Sequence, residues 1–89
     1  MKRLNLTSTS LRFLDGLPGK QFKQIVNAIF NLLKNPEPQD SSELKGYPYR
    51  RIDVGEYRVV YDVQGDEVRI QVIGKRNDDE VYKKLGRRR

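Results

Sequence analysis

Residues 47–82 read YPYRRIDVGEYRVVYDVQGDEVRIQVIGKRNDDEVY, and the alternation within them decides the fold. Valine, isoleucine and tyrosine recur at every second position, which is the period of a strand with one buried face. Three strands are predicted: Tyr49–Val54, Tyr57–Val63 and Glu67–Ile73. Gly55-Glu56 and Gln64-Gly65-Asp66 supply the two turns between them. Parity then assigns faces. Ile52 and Val54 share one face, and Arg51 and Asp53 take the other. Tyr57, Val59, Tyr61 and Val63 lie together, leaving Arg58 opposite with Val60 and Asp62. On the third strand Val68, Ile70 and Val72 point one way and Arg69 the other. If the apolar rows meet a helical layer, Arg51 and Arg58 emerge side by side on the uncovered face. Gly74 reads as the break that ends the third strand.

Upstream, Lys2–Leu6 alternates, with Leu4 and Leu6 on one face, and predicts a short opening strand. Thr7, Ser8 and Ser10 offer N-cap oxygens for a short helix carrying Leu11, Phe13 and Leu14, which Gly16 ends. Pro18 suits the first position of a second helix. There Phe22, Ile25, Val26, Ile29, Phe30 and Leu33 form an apolar stripe that reads as core, and Asn35-Pro36 stops the helix. Pro36–Ser42 (PEPQDSS) is a loop within one domain. At the other end, Asn77–Asp79 cap a short helix carrying Val81, Tyr82 and Leu85, followed by the Arg87–Arg89 tail. The prediction is one α+β domain over residues 1–89: an opening strand, a helical hairpin on a mainly antiparallel sheet, and a short C-terminal helix.

Composition narrows the chemistry. Eighty-nine residues suffice for one modest core. The chain has no cysteine, hence no disulfide framework and no thiolate zinc site. It has no histidine, which excludes a Ser-His-Asp triad, a histidine-pair nuclease and histidine metal sites. No apolar run is long enough to span a bilayer and no signal peptide opens the chain, so the expected location is cytoplasmic with no membrane contact. Eighteen Lys and Arg against twelve Asp and Glu leave +6, the charge of a polyanion binder or of a merely basic surface. From Gly74 onward seven basic residues stand against three acidic ones, so most of the excess lies at this end.

Two pieces, LKGYPYRRIDVGEYRVVYDV (residues 44–63) and GKRNDDEVY (residues 74–82), carry a resemblance. In their order and spacing they resemble the RelE toxins of bacterial type II toxin–antitoxin pairs, within the RelE/ParE superfamily. The resemblance is specific in the second half and rests on pattern alone in the first. It implies a small fold of the microbial-ribonuclease type. It also implies a ribosome-dependent endoribonuclease that cuts messenger RNA in the A site with no metal or other cofactor. In that chemistry the 2′-hydroxyl attacks the adjacent phosphate, leaving a 2′,3′-cyclic phosphate and a 5′-hydroxyl. The implied partners are a cognate RelB-like antitoxin, the ribosome and its messenger, and operator DNA only through the antitoxin complex. The antitoxin would dock around the helical hairpin and the basic face.

Carried over position by position, the resemblance implies a catalytic set of Arg51, Arg58, Arg76 and Tyr82. Transesterification needs a proton acceptor, a proton donor and positive charge at the phosphorane. Arginine supplies a permanent charge on a planar fork that matches phosphate oxygens. Arg58 and Arg76 are thus the charge stabilisers, and Arg51 binds phosphate or assists proton transfer. Tyr82 is the base or an orienting group stacked on a nucleobase. A free tyrosine titrates near pH ~10, so the first role requires nearby cations. Arg50, Lys45, Lys75, Lys83 and Lys84 form the expected RNA-binding surround. Asp53 departs from the pattern, because the family presents a second basic residue there. A carboxylate at that position would repel the phosphate or pair with a neighbouring arginine. Without the resemblance each of these residues also reads plainly: Arg58 as a solvent-facing strand arginine, Tyr82 as an anchor for the last helix, Tyr47, Tyr49, Tyr57 and Tyr61 as packing groups. Two other functions stay open, a ParE-like inhibitor of DNA gyrase without nuclease activity and an inactive RNA-binding member of the superfamily.

Overall fold

The computed structural model describes residues 1–87; Arg88 and Arg89 of the basic tail lie outside the described residues. The chain opens with strand β1 (Arg3–Leu6), followed by helices α1 (Ser8–Asp15) and α2 (Gly19–Lys34). A two-residue strand β2 (Ser42–Glu43) precedes the meander β3 (Arg50–Val54), β4 (Tyr57–Gln64) and β5 (Glu67–Lys75), and α3 (Glu80–Arg87) closes the described chain. The sheet order is β1-β5-β4-β3-β2. β1 runs parallel to β5, and every other pair is antiparallel. The α+β architecture is therefore as the sequence predicts. The edge strand β2 is an addition: it is too short to show an alternation, and it pairs Ser42 with Arg51 and Glu43 with Arg50.

Local chemistry explains the boundaries. The Thr7 hydroxyl caps α1 by accepting from the Ser10 amide at 3.2 Å. Pro18 sits one residue outside α2, as its N-cap, rather than at the first helical position. Between β3 and β4, Gly55 takes φ 59°, which a two-residue hairpin with glycine first requires. That turn sets Val54 opposite Tyr57 and Asp53 opposite Arg58.

One expectation of strand parity fails, at a bulge. β4 pairs Tyr61 with Ile70 but Val60 with Val72, so Gln71 is an extra residue on β5. Beyond it every side chain of β5 changes face. Val68, Ile70 and Ile73 pack with Leu14, Ile25, Ile29, Leu32, Ile52, Val59 and Tyr61 against the helical hairpin. Val72 instead joins Leu44, Val60, Val81 and Leu85 in a second core beneath α3, flanked by Tyr47, Tyr49 and Tyr82. Nor does Gly74 end the strand, since β5 continues to Lys75 and Gly74 lies opposite Arg58.

The apolar stripe of α2 is only partly core. Ile25, Ile29 and Leu32 are buried, whereas Phe22 is 41% and Phe30 51% exposed. These two rings, with Leu4, Leu6, Leu11 (itself half exposed) and Val26, line an apolar groove of about 310 Å³ between β1, α1 and α2. The helical period identifies an apolar face but not how much of it the sheet covers.

Two contacts yield stability predictions. Tyr61 is wholly buried, and its hydroxyl donates to the Pro36 carbonyl at 2.7 Å. Tyr61→Phe removes that bond and is expected to cost about 1 kcal/mol, read as a lower denaturant midpoint at unchanged slope. At Gly74 an added Cβ would lie 2.7 Å from Glu80 Oε2. Gly74→Ala therefore pushes Glu80 away from the Lys75 amide it accepts from at 2.8 Å, at a cost of about 1 kcal/mol. Because both changes break the same contact, the losses from Glu80→Ala and Gly74→Ala sum to less than additively, the remainder being the Lys84 pair that only Glu80→Ala removes. Additive losses in a double-mutant cycle would refute the coupling.

Candidate functional site

On the sheet face opposite the helical hairpin, three arginines from three segments converge on one carboxylate. Arg58 of β4 pairs side-on with Asp53 of β3, Nε to Oδ1 at 2.8 Å and Nη2 to Oδ2 at 3.4 Å. Arg51, two residues before Asp53 on the same face, reaches Oδ2 at 3.5 Å. Arg76, just past β5, brings Nε to 3.9 Å from the same oxygen. Its backbone amide donates to Glu56 O at 3.0 Å and its Nη1 to Gly55 O at 3.1 Å, so it is folded back over the β3–β4 turn. Arg58 is the most enclosed of the three, with 19% of its side chain exposed against 53% for Arg76. The hydrogen bond from Arg58 holds the Asp53 carboxyl below its ordinary value, against the opposing effect of partial burial. The bond to Asp53 raises the pKa of Arg58 in turn, and the nearby Asp79 carboxylate adds attraction. Of the two outcomes expected for a carboxylate at position 53, pairing with arginine is the one found.

Tyr82 stands on α3 within electrostatic reach of Arg58. Its ring is 6.1 Å from that of Tyr47, which stacks on Tyr49 at 5.9 Å and 14°. All three rings flank the second core, so the packing reading of Tyr47 and Tyr49 holds while a face of the cluster stays partly open. α3 is held in place from both ends. Asp78 and Asp79 adopt φ of 60° and 53°, the left-handed region, where aspartate is among the more tolerant non-glycine residues. Glu80 lies over Gly74, in space that a side chain would fill. Lys84 donates to Ile73 O at 2.6 Å, pairs with Glu80 at 3.6 Å and sits 4.0 Å above the Phe13 ring. Burial lowers the pKa of its ammonium, and Glu80 partly offsets that.

The RNA-binding surround divides accordingly. Lys75 is exposed and lines, with Arg58, Arg76, Gly55, Glu56 and Asn77, an open depression of about 630 Å³ beside the arginine cluster. Lys45 and Lys83 are exposed at other points of the surface, Lys83 in a separate hollow with Phe13 and Arg87. Arg50 is turned toward the loop after α2, where Nη2 donates to Ser41 Oγ at 2.8 Å and Nε is buried without a partner. Lys84 is occupied by its contacts at the sheet edge. Sequence reasoning missed Glu80 and Gly74 as positioning residues for α3; the bulge that brings Gly74 under Glu80 leaves no mark in the alternation. Among the described residues no three His, Cys, Asp or Glu side chains gather as a metal site, and no helix is long and apolar enough to cross a membrane.

The fold has relatives. The family model of the ParE toxin of type II toxin–antitoxin systems (parDE) matches residues 5–80. No curated protein sequence matches. Among solved structures, a free arginine double mutant of the Escherichia coli toxin RelE superposes with a TM-score of 0.77 at 24% identity, covering 92% of this chain and 90% of that one. The archaeal RelE of the RelE–RelB complex from Pyrococcus horikoshii OT3 gives 0.76 at 22% identity, with 86% and 97% covered. The RelB–RelE complex from Methanococcus jannaschii gives 0.69 at 26% identity, with 91% and 98% covered. With 76 of 89 positions inside the family model, this chain belongs to the ParE toxin family of type II toxin–antitoxin systems, and its fold is that of the RelE toxins in the RelE/ParE superfamily.

Proposed function

We propose that this toxin is a metal-independent endoribonuclease that cuts messenger RNA on the ribosome. The observation that carries the reading is the convergence of Arg51, Arg58 and Arg76 on one point of an open face that also presents Tyr82. Three fixed guanidinium groups suit a phosphorane, whose charge builds up on oxygens during attack by the 2′-hydroxyl. Arg58, the most enclosed, stabilises that charge, and Arg76, the most exposed, meets the phosphate and assists the leaving 5′-oxygen. Arg51 binds phosphate from the β3 side. Tyr82 accepts the 2′-hydroxyl proton or stacks on the neighbouring base. Asp53, whose negative charge Arg58 stabilises, is a poor proton acceptor. Lys75 extends the phosphate-binding surface. We infer also that a RelB-like antitoxin neutralises the toxin. The exposed groove of Leu11, Phe22 and Phe30 suits the apolar face of a helical segment, and the chain's +6 charge suits an acidic one.

A second reading has its own support. Asp53 lies among the three arginines, and a toxin that inhibits DNA gyrase without cleaving RNA has no need of a vacant phosphate site there. Mapping messenger ends in a ribosome-containing extract separates the two. Ribosome-dependent cuts within A-site codons support the nuclease; intact messenger with blocked gyrase supercoiling supports the inhibitor.

Arg76→Ala is expected to lower cleavage and toxicity by about a hundredfold or more while the melting temperature stays within a few degrees. The long ion pair to Asp53 and the exposed guanidinium bond to Gly55 O that it removes are worth about 1 kcal/mol together. A fully toxic Arg76→Ala protein would place the chemistry elsewhere. Arg58→Lys keeps the charge but loses the side-on fork. It should reduce turnover by about tenfold or more, and wild-type turnover would show that charge alone suffices.

A further inference from the structure

We propose that Asp53 is a resident anion: its carboxylate stands where a phosphate would sit in the arginine cradle, and an RNA phosphodiester enters by exchanging with it. This rests on the reading that the cradle takes RNA phosphates, and it adds how the site is kept and opened.

Three features support it. The first is the edge that Asp53 uses. It bridges Nε and Nη2 of Arg58, the side-on pair of donors that also matches two oxygens of a phosphate. A phosphate that takes this edge has to move the carboxylate off it. The second is the set of partners. Among the described residues, the hydrogen bonds and ion pairs of Asp53 run to Arg51, Arg58 and Arg76 alone. No backbone amide or hydroxyl fixes it in place, and a third of its side chain is exposed, so it can turn outward without breaking the fold. The third is charge. Three guanidinium groups facing one another in a chain of net charge +6 repel. A tethered anion keeps them converged until a ligand arrives, and it then competes with that ligand because it cannot diffuse away.

The exchange has a measurable sign. Removing the charge while keeping the shape leaves the cradle one positive charge richer and free of its competitor. A 2′-O-methyl RNA dodecamer, which has no 2′-hydroxyl to attack, serves as the probe by fluorescence anisotropy. Asp53→Asn is expected to bind it about tenfold more tightly than wild type. The slope of log affinity against log salt should steepen by about one ion. Inorganic phosphate is the second probe: it should raise the melting temperature of Asp53→Asn by more than that of wild type. Asp53→Ser carries the same expectations should the asparagine variant fold poorly. Equal or weaker oligonucleotide binding by the variants, with wild type binding and Arg76→Ala not, overturns the resident anion and leaves the RNA reading standing. If no protein binds the oligonucleotide but phosphate still stabilises Asp53→Asn more, exchange with free RNA is overturned, the carboxylate's hold on an anion site stands, and the RNA reading is decided by the ribosome-dependent cleavage assay alone. Equal stabilisation of variant and wild type by phosphate overturns the resident anion.

Discussion

The extra residue at Gln71 is the constraint on which the rest of the molecule depends. A five-stranded sheet in a chain this short has to serve two layers, the helical hairpin on one face and α3 on the other. β5 lies between β1 and β4, and it serves both by changing parity once. Before the bulge Val68 and Ile70 face α1 and α2; after it Val72 faces α3 while Ile73 returns to the larger core. The same shift decides the neighbourhood of the arginines. An unbroken ladder continuing from Tyr61 and Ile70 would set Ile73 opposite Arg58. The bulge sets Gly74 there instead, and Glu80 can then lie on the glycine and bring α3, with Tyr82, alongside the cluster.

The arginine cluster matters more for geometry than for stability. Its pairs are partly exposed, and ion pairs of that kind contribute roughly 0–1 kcal/mol each. What they supply is direction. Arg51 and Arg58 are fixed by the β3–β4 register, and Arg76 is fixed by its amide and guanidinium bonds to Glu56 and Gly55 carbonyls. One hairpin turn thus sets the height of all three charges above the sheet. A site built on strand register and backbone carbonyls holds its geometry without a large buried volume, which a chain of this length cannot supply.

Much of this was legible in the residues, and the failures have physical causes. The Gly55-Glu56 turn fixes register, so the meeting of Arg51, Asp53 and Arg58 on one face follows from period two and turn length. That Asp53 pairs with the arginines instead of merely lying near them depends on side-chain torsions, which no pattern records. Arg76 could be joined to the cluster only through the family resemblance, since a residue beyond a strand has no parity to follow. The bulge was invisible because Gln71 is neither glycine nor otherwise unusual for a strand. Phe22 and Phe30 were misassigned to the core because a helical stripe reports which side is apolar and not where the sheet ends.

The far half of β5 shows how the layers are tied together. β1 stops where Leu6 meets Ile70, so the carbonyls of β5 beyond that point have no strand to receive them. An open edge of this kind invites unwanted pairing and leaves backbone acceptors unsatisfied. Here it is closed by side chains from two helices. Thr7 and Ser10, from the start of α1, donate to Gln71 O and Ile70 O, and Lys84, from α3, donates to Ile73 O. Burying the Lys84 ammonium is unfavourable, as its lowered pKa records, but the carbonyl, Glu80 and the Phe13 ring surround it with partners. A lysine that looks in sequence like one more contact for a polyanion is here the clip that holds the tyrosine-bearing helix to the sheet. Among the described residues, the arginine cluster and its exposed neighbour Lys75 keep positive charge beside the open depression.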